Sequence, residues 1–211
     1  MKFPIPLKYS GNPANNGSHW KRHDVMEDKK FLKMDFSGSP LAQDTYENCM
    51  FSNCEFSQAD LGGILFIDCT FDACNLSMAN LTRATVRDVI FKNCKMLGLR
   101  FENCDQLSLS VTFDACNLGQ ASFYKVKLKK TVFTRCKLHE VDFSQADVSE
   151  SIFDDCDLAR AHFGNTTMEK ADFRTSINYS IDPEKNRLKK AKFSLSGVPG
   201  LLDKYGIEIE K

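Results

Sequence analysis

The feature of this sequence that most restricts its fold is the recurrence of phenylalanine at intervals of five residues. Sixteen of the seventeen Phe residues share one five-residue register, and Phe3 is the exception. All nine Cys residues lie two positions before a large residue of that register. A five-residue period fits neither the 3.6-residue helix nor the two-residue strand, so each unit must place a small and a large side chain inward and then turn a corner.

The residue before each large one is often Asp or Asn, and the two residues after it are mainly polar, which defines a unit A/C-D/N-L/F-x-x. Over residues 31 to 175, and again near Leu188 to Phe193, this unit resembles the motif of the pentapeptide-repeat family. The resemblance implies an all-β fold, namely a right-handed quadrilateral parallel β-helix in which four units close one coil. We expect a solenoid of this kind with a short C-terminal capping helix.

A twenty-residue recurrence supports a coil of four units. If a two-residue insertion between Cys104 and Phe113 is allowed for, every twentieth residue from Phe31 is again Phe, and six Cys residues follow the same interval. The sequence therefore predicts two stacked columns in the core. They comprise Phe31, Phe51, Phe71, Phe91, Phe113, Phe133, Phe153, Phe173 and Phe193 on one wall, and Cys54, Cys74, Cys94, Cys116, Cys136 and Cys156 on the next.

The repeat divides the chain into three segments. Residues 1–25 lie outside it, are rich in Pro, Gly and Asn, and are expected to be mobile. Residues 26–195 should form the β-helix, with a register slip at 105–112 and an irregular last coil at 175–187. Residues 196–211 should form a cap, because Pro199 suits the first turn of a helix and Gly206 suits the position after its end.

The tail also carries apolar residues with two possible roles. They could close the open end of the core, or pair with a second copy of the chain, as terminal helices do in related proteins that dimerise tail to tail. These two roles are compatible. The residues are Leu201, Leu202, Tyr205, Ile207 and Ile209.

Two surface features are candidate partner contacts. At the register slip, polar Gln106 occupies a position that should hold a large apolar residue, so we expect a bulge or short outward loop. The alternative is a tolerated insertion without a role. The second feature is an acidic group close to a Lys-rich stretch. The candidate contact residues are Gln106, Leu107, Ser108, Glu150, Asp154, Asp155 and Asp157.

The sequence offers no candidate for catalysis. Two Cys-x4-Cys pairs, Cys49 with Cys54 and Cys69 with Cys74, alternate with Phe and Leu, and no His joins them, so core packing explains them better than metal ligation. Parallel stacked side chains also disfavour disulfides. A phosphate-binding Gly-rich loop, a nucleophile elbow and a His-paired nucleophile are all absent from the sequence. We therefore predict a protein that is not an enzyme and uses neither cofactor nor metal.

Charge and hydropathy exclude further classes of protein. The chain carries 28 basic and 28 acidic residues, without the positive excess of a nucleic-acid binder. It has neither the apolar core of a signal peptide nor a stretch long enough for a membrane span. We expect a cytoplasmic protein with reduced thiols that contacts neither nucleic acid nor membrane directly.

The near-complete repeat array, its single interruption and the tail LLDKYGIEI resemble the quinolone-resistance (Qnr-like) branch of the family. That resemblance implies a homodimer joined through the C-terminal tail, which acts as a DNA mimic, engages DNA gyrase or topoisomerase IV, and confers fluoroquinolone resistance by protecting these enzymes. The alternative is a generic protein-interaction scaffold or immunity protein with an unrelated partner. A continuous acidic wall would favour mimicry, and a patchwork of charges would favour the scaffold.

Overall fold

The computed structural model describes residues 25–38, 41–42 and 44–210. Of the segment 1–25, for which the sequence predicts mobility, only Val25 lies within the described residues. The strands are β1 (Val25–Glu27), β2 (Lys30–Leu32), β3 (Thr45–Glu47), β4 (Met50–Ser52), β5 (Leu65–Ile67), β6 (Thr70–Asp72), β7 (Thr85–Arg87), β8 (Val89–Lys92), β9 (Val111–Asp114), β10 (Val132–Thr134) and β11 (Ile152–Asp154). The helix α1 spans Pro199–Leu202, and 3-10 turns lie at Phe101–Asn103, Leu195–Gly197 and Asp203–Tyr205.

These strands wind into a right-handed quadrilateral parallel β-helix, as the repeat predicts. β1, β3, β5 and β7 form a four-stranded sheet on one wall, and the remaining strands form a seven-stranded sheet on the next. Paired residues are twenty positions apart, as with Phe31 opposite Phe51, and twenty-two apart across the insertion, as with Phe91 opposite Phe113. The other two walls are joined by single parallel bridges, such as Asp35 with Glu55 and Asp60 with Asn80.

The five-residue period has its origin in the backbone at each corner. The residue two places after the large inward side chain adopts the left-handed conformation, with φ of 53° at Asn53, 57° at Gln58 and 72° at Gly63. Asn and Gly tolerate this conformation well. The repeat also imposes it on residues that do not favour it, such as Ala73 and Ala115, each with φ of 53°. Pairing between successive coils therefore outweighs the backbone strain at these corner residues.

The nine Phe rings form one continuous stack through the rod. Successive ring centroids lie 4.6 to 5.6 Å apart, and the widest step, from Phe91 to Phe113, crosses the insertion. The seven inner rings are buried, whereas Phe31 and Phe193 at the two ends are partly exposed. Stacked and edge-on rings fill the narrow interior at close-packed density.

All nine Cys side chains are buried and unbridged. Seven of the thiols donate to a backbone carbonyl of the preceding coil, as in the 3.3 Å contact from Cys74 Sγ to Phe51 O. Burial raises the pKa of Cys69 to about 11 and that of Cys104 to about 12. The thiols of Cys69 and Cys104 are therefore protonated packing groups at neutral pH.

A short loop leaves the rod at the register slip. β7 is the last strand of the four-stranded sheet, and the chain regains the coil where Ser110 N donates to Val86 O at 2.9 Å. Leu107, at the tip, is 97% exposed. Two residues are extruded there, because β8 and β9 then pair with Phe91 opposite Phe113 and the Phe stack continues.

The last coil keeps its core although it loses the repeat motif. Tyr179 and Ile181 are buried, and the Tyr179 ring lies 5.6 Å from that of Phe193. Asn186 is also buried, and its Nδ2 donates to Phe163 O at 3.0 Å. Hydrogen bonding by Asn186 thus replaces the apolar residue that the repeat would supply.

The tail closes the C-terminal end only in part. Pro199 begins α1, and Gly206, with φ of 60°, ends the 3-10 turn that follows, as its sequence predicts. Leu201 packs against the core, and Leu202 is partly buried. Because α1 is a single turn, the tail covers only part of the core, and the pairing of the other apolar tail residues with a second copy of the chain stays a prediction. Three of them are at least 50% exposed: Tyr205, Ile207 and Ile209.

Candidate interaction surface

The four acidic residues singled out from the sequence do not form one patch. They follow the coil across three consecutive walls, in the order Glu150, Asp154, Asp155 and Asp157. Two of their charges are matched by neighbours in adjacent coils. Lys170 Nζ lies 3.5 Å from Glu150 Oε1, and His139 Nε2 lies 2.7 Å from Asp157 Oδ2. This group therefore presents no concentrated negative field.

Acidic and basic side chains are paired in this way throughout the C-terminal half of the rod. Arg160 Nη2 lies 2.6 Å from Glu140 Oε1, and Lys129 Nζ lies 3.2 Å from Asp147 Oδ2. Such pairs join one coil to the next and are largely exposed, so each contributes little to stability. Together they cancel much of the charge on these walls.

The coils between residues 34 and 82 differ from the rest of the rod. They carry seven carboxylates and no Lys, Arg or His. All seven are exposed or partly exposed. Asp44 aside, none of them forms an ion pair with any residue in the described part of the chain. We call this set the acidic belt: Asp35, Asp44, Glu47, Glu55, Asp60, Asp68 and Asp72.

Short-range hydrogen bonds hold belt carboxylates in place. Asp35 Oδ1 accepts from Ser37 Oγ at 2.6 Å and from the backbone N of Ser37 at 2.9 Å, and these two contacts lower the pKa of Asp35. Partial burial acts to raise the pKa of Glu55, but hydrogen bonds from Ser57 and Asn75 outweigh it and leave the pKa below its usual value. Both groups are therefore ionised at neutral pH, and each side chain has a restricted position.

The belt surrounds the rod and has the charge density of a nucleic acid. Glu47 lies on β3 and Asp72 on β6, while Glu55 and Asp60 lie at bridges on the other two walls. The segment makes about two and a half coils, or about 12 Å of rod at about 4.8 Å per coil. Seven carboxylates over that length give about one charge per 1.7 Å, the same as duplex DNA along its axis.

Reasoning from the sequence missed the belt because it compared whole-chain net charge and looked for runs of adjacent charges. Belt carboxylates are well separated along the chain, and winding brings them together. The available signal was the absence of any basic residue between Met34 and Thr82, a stretch longer than two coils. Counting charges per twenty residues would have revealed it.

The predicted loop contacts have different orientations. Gln106 turns back to the rod, where its Nε2 donates to Phe101 O at 2.8 Å and to Cys104 O at 3.0 Å. Ser108 is partly buried, and only Leu107 projects fully into solvent. The loop lies on the wall of β3, β5 and β7, just beyond the acidic belt. It pairs with the coil that carries the exposed Arg83 and Arg87, so Leu107 is separated from the belt by one coil with basic side chains.

The tail presents a second apolar feature. An open groove of about 850 Å³ is lined by Leu195, Val198, Leu202 and Ile209. Leu195 is 90% exposed. Tyr205 points the other way, and its hydroxyl donates to Glu184 Oε1 at 3.0 Å. Exposed apolar residues grouped in this way are typical of protein contact surfaces.

Metal sites and membrane spans were sought in the same part of the chain. Among the residues that the structure describes, no group of three or more His, Cys, Asp or Glu is arranged to hold a metal ion. None of the helices in the described ranges is long and apolar enough to cross a membrane.

The profile of the pentapeptide repeat region matches residues 44–109 and 109–180. The chain belongs to the pentapeptide-repeat family. Curated proteins include no match to it.

Several solved structures of pentapeptide-repeat proteins are similar to the chain. QnrB1, a plasmid-mediated fluoroquinolone resistance protein, is 24% identical with a TM-score of 0.44, over 88% of this chain and 97% of QnrB1. HetL from the cyanobacterium Nostoc, involved in the regulation of heterocyst differentiation, is 16% identical with a TM-score of 0.41, over 81% and 87% of the two chains. A thylakoid-lumen protein of Arabidopsis thaliana is 19% identical with a TM-score of 0.25, over 62% of each.

Proposed function

We propose that this chain is a non-enzymatic, Qnr-like binding protein, which engages DNA gyrase or topoisomerase IV as a mimic of duplex DNA and protects them from fluoroquinolones. The acidic belt carries the proposal, because its charge per unit length equals that of DNA. The partner in this reading is a cytoplasmic enzyme, so the protein acts in that compartment.

The mechanism is competition for a basic groove. A DNA-binding surface attracts the belt by the same long-range field that steers it to phosphates, and association should weaken steeply with salt. Leu107, exposed one coil beyond the belt, supplies an apolar contact that duplex DNA lacks. Such a contact would distinguish a protein partner from a simple polyanion site.

The tail groove would join two copies of the chain. Its apolar lining and the exposed Ile207 and Ile209 suit a self-complementary contact about a two-fold axis. A homodimer joined in this way would carry its two acidic belts toward opposite ends of a longer rod. Sedimentation of the full chain and of a variant lacking Gly197 to Lys211 tests this contact, since only the full chain should dimerise.

A gyrase supercoiling assay with ciprofloxacin tests the main proposal. The full chain should raise the ciprofloxacin concentration needed for half inhibition. Neutralising three belt charges should abolish the protection, whereas neutralising three charge-matched carboxylates of the C-terminal half should preserve it. The belt variant is Asp35→Asn, Glu47→Gln and Asp68→Asn, and the control variant is Glu140→Gln, Asp147→Asn and Glu150→Gln.

A generic interaction scaffold is the second candidate, and the charge-paired C-terminal half favours it. Mixed walls of this kind suit a partner that is itself patterned in charge rather than uniformly basic. Absence of any effect on gyrase at micromolar protein would assign the function to this second class, whereas equal loss of protection in both variants would refute the role of the acidic belt.

A further inference from the structure

The outer face of the seven-stranded sheet carries two straight columns of side chains. The residue before each stacked Phe forms the first column, because neighbours along a strand face opposite sides of the sheet. Strand pairing aligns Ile90 with Thr112, Thr112 with Val132, and Val132 with Ile152. Ile90 is 37% exposed and Ile152 is 44% exposed. The first column is therefore a stripe of branched side chains on a regular, flat surface, which suits contact with another protein surface.

The residue after each stacked Phe forms the second column, which is charged. In chain order this column contains Asp72, Lys92, Asp114, Thr134, Asp154 and Arg174. Arg135 contacts Asp114 and offsets its charge. Arg174 contacts Asp172, but Lys192 lies 3.8 Å from the same carboxylate, so this group of three keeps a net positive charge. The column thus reads negative, positive, neutral, neutral, negative, positive, and in the reverse direction every charged position has the opposite sign.

We propose that a second copy of the chain docks antiparallel on this face, about a two-fold axis between the coils of Phe113 and Phe133. The axis lies in the contact plane and parallel to the strands, so each column meets the same column of the other copy. Four kinds of pair then form, each of them twice: Asp72 with Arg174, Lys92 with Asp154, Ile90 with Ile152, and Thr112 with Val132. Opposite charges meet in one column and branched side chains in the other.

The charges also select this register over its neighbours. A slip of one coil in one direction places Asp72 opposite Asp154, and a slip in the other direction places Lys92 opposite Arg174. Both slips exchange attraction for repulsion between like charges, which disfavours the wrong alignments.

The corners at one edge of the face add little to this preference. In the proposed register Asp68 meets Lys170, which is favourable, whereas Asp88 meets Glu150, which is unfavourable. Glu150 already faces Lys170 at 3.5 Å, so its field is partly offset. The second column therefore decides the alignment.

The size of the face sets the strength of the contact. At about 4.8 Å per coil and about 3.3 Å per residue, the paired region is about 30 Å long and about 10 Å wide. The two copies together would bury about 600 Å², which is below the roughly 1,200 Å² of stable interfaces. The association should therefore be weak and should weaken further with salt. Its axis lies at the middle of the rod, well away from the tail groove, so it is independent of the tail contact.

Carbodiimide crosslinking of the full chain at low salt tests the proposal, because this reagent joins a Lys amine to a carboxylate without a spacer. Chains labelled with ¹⁵N and unlabelled chains are mixed at about 100 µM, a concentration suited to a weak interface, and the products are read by mass spectrometry. We expect a link between Lys92 of one copy and Asp154 of the other. Within one chain these residues are three coils or about 14 Å apart, too far for such a link.

Exchanging the two charges gives the decisive comparison. Lys92→Glu and Asp154→Lys should each lower the yield of linked dimer by about tenfold or more, and the double variant should restore it with the roles of the two positions reversed. Lys95→Glu is the matched control, because Lys95 is also exposed and lies in the same coil but on the next wall. It should leave the yield unchanged. The tail is the same in all these proteins, so a contact between tails cannot produce this pattern.

Three results would overturn the proposal. The first is absence of the link between Lys92 and Asp154 in the unchanged chain, whether the chain is then monomeric or is linked through other residues. The second is a double variant that stays as poorly linked as the single variants. The third is an equal loss in Lys95→Glu, which would show that the yield follows net charge rather than this face.

Discussion

Removing the central ring of the Phe stack gives the most direct measure of what stabilises this rod. Phe113 is fully buried, stacked between Phe91 at 5.6 Å and Phe133 at 5.0 Å, with Phe101 and Phe123 edge-on at 5.6 and 6.0 Å. Backbone pairing on both sides fixes these neighbours, so the site can hardly collapse. We expect Phe113→Ala to cost about 4 to 5 kcal/mol, the upper part of the range for buried Phe.

The matched comparison is Phe193→Ala at the end of the same stack. Phe193 is partly exposed and stacks on one Phe only, Phe173 at 5.4 Å, so we expect a loss of about 1 to 2 kcal/mol. Urea unfolding followed by circular dichroism gives both values from the midpoint and slope. A loss below about 1 kcal/mol for Phe113→Ala, or equal losses for the two variants, would refute the reasoning from ring burial.

Other consequences concern the thiols, the corners and the tail. The nine thiols should react with Ellman's reagent only after unfolding; rapid reaction of several in the native chain would contradict a dry core. Burial raises the pKa of Cys69 to about 11, so the contribution of this thiol to stability should be complete below about pH 8.5, the pKa in the unfolded chain, and be lost as the pH rises toward the folded value. Urea midpoints should therefore fall less between about pH 8 and 11 for Cys69→Ala than for the unchanged chain. Ala115→Gly, at φ of 53°, should stabilise by about 0.5 to 1 kcal/mol in the same melts, and Ala146→Gly should destabilise. Hydrogen bonding from Lys204 lowers the pKa of both Asp182 and Glu184, so Lys204→Met should loosen the tail to proteolysis at neutral pH and make no difference once acid has protonated both carboxylates.

The core could be predicted from the sequence because inward side chains have no freedom to depart from the coil. A residue that points into a narrow rod must stack on the residue one coil away, so the spacing of Phe and Cys reports the coil length directly. The two-residue insertion at the slip could also be recognised from the sequence, because Phe91 and Phe113 must lie opposite each other for the Phe stack to continue. Backbone geometry imposes this rule at every coil.

No such rule fixes the contacts of the surface side chains, so these could not be predicted from the repeat. Whether Glu150 is free or paired depends on a Lys twenty residues later and on the rotamers of both side chains. The five-residue register from Phe173 places Asn178 at the inward position, but Tyr179 is buried instead. This shift depends on the irregular path of the last coil. These details are set by packing among outward or terminal groups, for which the repeat prescribes only polarity.

Charge alone does not make a surface a good binder of a basic groove, since a carboxylate that already faces a cation attracts a second one less. On the C-terminal walls, Arg160 lies against Glu140, so the field that a basic partner meets there is largely cancelled. Asp35 and Glu55 of the belt accept from backbone and neutral side chains, and those bonds survive the arrival of a cation. Their positions are fixed in advance, so little side-chain entropy is lost on association. It follows that equal numbers of equally exposed carboxylates from the two halves should differ in affinity for the same basic partner. This difference should shrink as salt screens the charges of both sets.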